Sequence, residues 1–208
     1  MTIERRAFQL TELRTKHDAG LTIVGHAAVF NSLSEDLGGF REKISPGAFA
    51  QSIENDDIRA LWNHDPNYPL ARNKSGTLRL HEDDKGLAIE ADLVDEPFER
   101  SLVKKIERGD VSQMSFGFLV PPKGDDWRYE DGGIVRTLNK VQLFDVSPVT
   151  FPAYPQTDVS NARFAEQIAE VRRLQEGIAP KSVAQSSSLT FLSYHKQLRE
   201  KLNQQLIR

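Results

Sequence analysis

Residues 113–120 read Gln-Met-Ser-Phe-Gly-Phe-Leu-Val, and their alternation decides how the chain is organised. Successive side chains of a strand turn to opposite faces, so Met114, Phe116 and Phe118 share one face while Ser115 and Gly117 share the other. The first face is apolar enough to demand a core. The second sets a hydroxyl beside a residue with no side chain, leaving open space above it. Short runs rich in β-branched and aromatic residues recur through residue 151, at Leu21 to Phe30, Ile58 to Trp62, Gly76 to Leu80, Leu87 to Leu93, Val135 to Leu138 and Lys140 to Val146. Gly, Pro, Asn and Asp punctuate them, as turns between strands require. Gly86 in Asp-Asp-Lys-Gly reads as a hairpin, and Asp131, Gly132 and Gly133 mark another turn. About seven strands predict a mostly β domain with flanking helices (α+β), closed as a barrel or layered as a sandwich.

Two helices are expected inside this β pattern. Pro97 to Arg108 places Phe98, Leu102, Val103 and Ile106 on one face and stops at Gly109. A shorter helix is expected near Pro46 to Ile53, capped by Ser45, with Ala48, Phe49 and Ile53 as its apolar stripe. Beyond Phe151 the composition changes. Phe164 to Gln175 is a polar helix with Ile168, Val171 and Leu174 in a narrow stripe, and Leu189 to Ile207 is a second, with Leu192, Leu198, Leu202 and Leu206. The Gly-, Pro- and Ser-rich run Gly177 to Ser188 has the composition of a flexible linker. The division expected is a domain over residues 1–159 and a helical, partly flexible tail over residues 160–208.

With 38% apolar and 27% charged residues among 208, the composition is that of a soluble globular protein. No run approaches the ~20 apolar residues of a membrane span, and the charged start does not read as a secretory signal. The expected location is the cytoplasm, with no membrane partner. The chain has no cysteine, which removes thiolate metal sites and cysteine nucleophiles. Its net charge of −3 divides into +4 over residues 160–208 and −7 over residues 1–159. An acidic body lacks the dense basic face that neutralises phosphates, so nucleic acid is not an expected partner. No two histidines stand at i, i+3 or i+4, and no metal site is expected.

Three residues are candidates for chemistry, each with a plainer reading beside it. Ser115 is a nucleophile under open space, or a serine facing solvent from a half-buried strand. His64 follows the apolar Ile58 to Trp62 run at the mouth of a proline-fixed loop, where an imidazole can take and return a proton near neutral pH, or is simply solvated. Asp145 ends the apolar Val141 to Phe144 run and either pairs with a histidine, fixing its tautomer, or marks the exit of the strand into solvent. His26 reads as a strand-interior residue, and His17, His81 and His195 as solvated ones. Thirty acids offer no specific pair for glycosidase chemistry.

Taken in order, Ile44-Ser45-Pro46-Gly47-Ala48-Phe49, Leu61-Trp62-Asn63-His64-Asp65, Gly76-Thr77-Leu78, Gly86-Leu87, Met114-Ser115-Phe116-Gly117-Phe118 and Leu143 to Ala153 resemble the prohead proteases of tailed bacteriophages, serine peptidases similar in fold to herpesvirus assemblin. The resemblance spans roughly residues 20–155. It implies an assemblin-like barrel, Ser115 as nucleophile, His64 as general base and Asp145 at the acidic position, with no cofactor and no metal. It further implies that the scaffold protein, or the scaffolding segment of the major capsid protein, is the substrate inside the prohead, in the host bacterial cytoplasm. Self-cleavage is implied too, and a homodimer is left open. Ala71 stands where the family often has glycine, and Asp145 where it often has glutamate. A shorter acid reaches the histidine only where the backbone compensates. Two other functions fit the residues: a non-enzymatic capsid scaffold or assembly protein, and a different Ser/His hydrolase such as an esterase, although no G-x-S-x-G elbow is present.

Overall fold

The apolar face of residues 113–119 is the floor of the main core. Met114, Phe116 and Phe118 are completely buried, with Phe116 stacked on Phe118 at 4.9 Å and edge-on to Phe49 at 5.4 Å between ring centroids. The computed structural model describes residues 3–7, 13–16, 20–151 and 158–175. In chain order the described elements are β1 (Glu4–Ala7), β2 (Leu13–Lys16), β3 (Leu21–Val29), β4 (Arg41–Ile44), α1 (Ala50–Asn55), β5 (Arg59–Trp62), β6 (Asp65–Arg72), β7 (Leu78–Glu82), β8 (Gly86–Leu93), α2 (Pro97–Glu107), β9 (Gln113–Leu119), β10 (Asp125–Glu130), β11 (Gly133–Leu138), β12 (Gln142–Val149) and α3 (Asp158–Gln175).

The strands form three sheets. The first has the order β1-β9-β12-β5-β6, the second β10-β11-β4 and the third β2-β3-β8-β7. Pairing is antiparallel throughout except for β12 with β5 and β11 with β4. The mostly β, α+β class is therefore present, but the sheets do not close into a barrel of about seven strands. The count from sequence fell short for a physical reason. β4 (Arg-Glu-Lys-Ile) and β10 (Asp-Asp-Trp-Arg-Tyr-Glu) are polar, and their pairing is supplied by β11 between them rather than by apolar alternation.

Both expected turns form. Asp83 Oδ1 accepts the Lys85 and Gly86 N–H groups to shape the β7–β8 turn. Asp131 and Gly132 both take positive φ, 49° and 81°, the geometry of a two-residue type I′ turn between β10 and β11. The expected helix at Pro46 starts later, at Ala50. Ser45 does not cap it, because its hydroxyl bonds Asn139 Oδ1 at 2.9 Å. The Glu82 carboxylate instead accepts the N–H groups of Gly47 and Phe49, at 2.8 and 2.7 Å. In α2, Leu102, Val103 and Ile106 are buried, whereas Phe98 stays partly exposed against Tyr68 of β6, 5.4 Å between ring centroids.

A second, smaller core joins Leu37, Phe40 and Ile134 to Phe164, Ile168 and Val171 of α3, with Trp127 at its rim. One compact unit runs from Met1 to Val171, and Leu174 remains exposed. The linker Gly177 to Ser188, the helix Leu189 to Ile207, His17 and His195 lie outside the described residues.

Candidate active site

His64 sits in a hairpin rather than an open loop. Trp62 of β5 pairs with Asp65 of β6, leaving Asn63 and His64 as a two-residue turn with φ of 52° and 60°. Non-glycine residues enter this left-handed region at a cost, and histidine and asparagine tolerate it better than most. The turn is held by Asn63, whose backbone N–H donates to Pro148 O at 3.1 Å and whose Oδ1 accepts the Thr150 N–H at 2.9 Å. The β5–β6 tip is thereby tied to the end of β12.

β9 and β12 supply the other two candidates. Their antiparallel register sets Ser147 opposite Ser115 and Asp145 opposite Gly117, with an irregularity between Leu143 and Asp145 that leaves Phe144 without a partner. Such a bulge re-aims the side chain that follows it. Without it Asp145 would stand opposite Phe116, over the core; with it the carboxylate lies on the Ser115 face.

The three side chains meet there. His64 Nδ1 lies 2.5 Å from Asp145 Oδ1, and His64 Nε2 lies 2.7 Å from Ser115 Oγ. Asp145 is buried and paired, so it does not mark a strand exit. Ser147 Oγ donates to the same Asp145 Oδ1 at 2.6 Å. Gly117 does not leave room for an incoming backbone: a Cβ at that position would collide with Asp145 Oδ2, so the missing side chain makes room for the carboxylate. Ser115 is not solvent-facing either. Its relative exposure is 0%, and its hydroxyl also donates to the Arg6 carbonyl of β1 at 2.9 Å.

Asn63, Ser147 and the strand carrying Arg6 did not emerge from sequence reading. For Ser147 a signal existed, since Asp145-Val146-Ser147 alternates and places both polar side chains on one face. For Arg6 none did, because Glu-Arg-Arg-Ala has no strand pattern. The remaining described histidines stand apart. His26 of β3 pairs with Asp83 at 2.8 Å, and His81 is exposed on β7. Among the described residues no group of three or more His, Asp or Glu is placed to hold a metal ion, and no helix is long and apolar enough to cross a membrane.

A bond chain from acid to imidazole to hydroxyl is the arrangement that activates a serine for acyl transfer. Among solved structures, the capsid assembly protease gp21 of bacteriophage T4 is similar, with a TM-score of 0.47 and 11% sequence identity over 71% of this chain and 97% of that one. No match to a curated protein was found. The sequence profile of the caudovirus prohead serine proteases matches residues 9–174, about four fifths of the chain and every residue of the Ser115–His64–Asp145 cluster, and the chain belongs to that family of phage prohead serine proteases.

Proposed function

We propose that Ser115 is the nucleophile of this prohead protease, His64 its general base and acid, and Asp145 the group that orients His64. The observation that carries the assignment is the unbroken chain of short contacts from Asp145 through both ring nitrogens of His64 to Ser115 Oγ. With Asp145 accepting from Nδ1–H, Nε2 offers its lone pair to Ser115 once the hydroxyl hydrogen turns from the Arg6 carbonyl toward His64. His64 then takes the hydroxyl proton as Oγ attacks a peptide carbonyl, and returns it to the leaving amine when the C–N bond breaks. Water repeats the attack on the acyl-enzyme and releases Ser115. Ser147 adds a second donor to Asp145 Oδ1, the oxygen that meets the imidazole. The oxyanion is met by backbone N–H groups in this reading.

The substrate is the scaffold protein, or the scaffolding segment of the major capsid protein, cleaved inside the prohead in the host cell, and the enzyme also cleaves itself. Residues 1–159 carry the chemistry, and the basic residues 160–208 serve as a docking tail. The experiment is cleavage of purified scaffold or capsid precursor by the parental protein and by Ser115→Ala, His64→Ala and Asp145→Asn. Ser115→Ala and His64→Ala should lose activity by several orders of magnitude, and Asp145→Asn strongly but less completely. Undiminished processing by Ser115→Ala overturns the assignment. Parental cleavage by Asp145→Asn removes the acid and leaves a Ser/His pair.

A further inference from the structure

A peptide carbonyl must come within about 3–3.5 Å of a nucleophile to react, yet Ser115 has no exposed surface. Among the described residues its hydroxyl bonds His64 and the backbone of β1. This four-residue strand pairs along the edge of β9 with Ala7 opposite Ser115 and Arg5 opposite Gly117, and the Arg6 carbonyl accepts from Ser115 Oγ at 2.9 Å. A carbonyl oxygen only accepts, and the hydroxyl has a single hydrogen. While that hydrogen points at Arg6, the 2.7 Å contact to His64 is satisfied only by an N–H on Nε2, and Nε2 then has no lone pair with which to take the serine proton. β1 therefore blocks the serine twice, by covering it and by engaging the proton that the mechanism must move.

β1 is pinned by charge more than by length. Arg6 Nε binds Glu42 of β4 at 2.9 Å, and its terminal nitrogen binds Glu4 at 2.8 Å. Glu4 in turn binds Arg136 of β11 at 2.8 Å, which also holds Glu42 at 3.0 Å and Asp125 of β10 at 2.7 Å. The Arg6 guanidinium lies 5.7 Å from the centroid of the Phe118 ring. Two of the five charged members belong to β1, so the strand is clamped onto the second sheet while it lies on the first. Four residues at a sheet edge would otherwise have few contacts to hold them.

We propose that β1 is an inhibitory strap, which must lift from the edge of β9 before Ser115 meets a substrate, and that the Glu4–Arg6–Glu42–Arg136 clamp sets how often it does. The proposal rests on the reading of Ser115 as nucleophile, and the test separates the two. The full-length chain is labelled with a fluorophosphonate, and the rate of modification at Ser115 is followed by peptide mapping. Arg6→Ala, which loosens the clamp while Glu42 keeps Arg136, should raise the rate about tenfold or more. The opposite variant, Ile3→Cys with Leu119→Cys one step beyond the Glu4–Phe118 pair, uses a chain otherwise free of cysteine. Oxidised, it should label about tenfold or more slowly than the same protein reduced, a comparison that holds folding and composition fixed. Equal rates at Ser115 in the parental chain, in Arg6→Ala and in both redox states overturn the strap and leave the nucleophile standing. Absence of label at Ser115 in every form overturns both.

Discussion

The precision of the Asp145–His64–Ser115 chain is set by an atom that is missing. Gly117 lies opposite Asp145 on the neighbouring strand, and its lack of a Cβ is what allows Asp145 Oδ2 to rest against the β9 backbone. Gly117→Ala would push the carboxylate away from His64 while leaving all three catalytic candidates in the sequence. We predict that it slows peptide cleavage by about 100-fold, as loss of a positioning contact does, and that Gly117→Ala combined with Asp145→Asn is little worse than Asp145→Asn alone. Non-additivity of this kind identifies groups that act as one unit. Independent, multiplying losses in the double variant would show that Gly117 acts elsewhere. At this scale residue type and local pattern left Ser115, His64 and Asp145 each with a plainer reading, and it was the resemblance to the prohead proteases that singled them out as candidates. Local pattern read the gap at Gly117 as space for a substrate, since alternation tells which side a residue faces and says nothing of what the opposite strand places there.

Among the elements, the β5–β6 hairpin shows how local chemistry positions a distant side chain. Pro66 and Pro69 argue against a strand, and from sequence the segment after His64 is a loop. Pairing overrides this because β6 is an edge strand with register shifts against β5, where missing N–H groups are tolerated. The tip depends on Asn63. Asn63→Ala should destabilise the protein by about 2 kcal/mol, losing the bond to Thr150 and adding left-handed strain. Asn63→Gly should cost only about 1 kcal/mol, since glycine takes the same φ freely; urea denaturation of the two variants distinguishes strain from hydrogen bonding. The β7–β8 hairpin carries a pH signature. Burial pushes the Asp83 carboxyl up, but His26 and the N–H groups of Gly86 and Lys85 outweigh it and hold its pKa at about 2. A carboxyl lowered in the fold contributes stability that is complete above its unfolded value of about 3.9 and lost as pH falls toward 2. Urea midpoints at pH 5, 3 and 2 should therefore show the parental protein losing its advantage over Asp83→Asn across that interval. A constant difference would mean that Asp83 acts by shape alone.

On the scale of the whole molecule, charge is gathered where the sheets meet. Arg136, 2% exposed, is raised in pKa because Glu42 and Glu4 outweigh the cost of its burial, and it lies under the Phe164 ring of α3 at 4.7 Å and beside Trp127 at 5.5 Å. Such a cluster draws on five elements, β1, β4, β10, β11 and α3, and left no local trace, which is why neither β1 nor the packing of α3 was legible beforehand. It also fixes where the tail can be cut. Removing residues 164–208 strips Phe164, Ile168 and Val171 from Leu37, Phe40 and Ile134 and takes one ring from Arg136, for a loss of roughly 5 kcal/mol from apolar burial alone. Removing residues 176–208 leaves that core whole. The excised stretch holds five basic and two acidic residues, suited to an acidic partner. If it docks on scaffold or capsid subunits, the shorter deletion should keep the parental urea midpoint and the parental rate on a peptide substrate while lowering the number of protease molecules packaged per prohead. The longer deletion should lose stability and packaging together. Equal packaging of the shorter deletion and the full chain would remove the docking role from residues 176–208 and leave recruitment to the folded body.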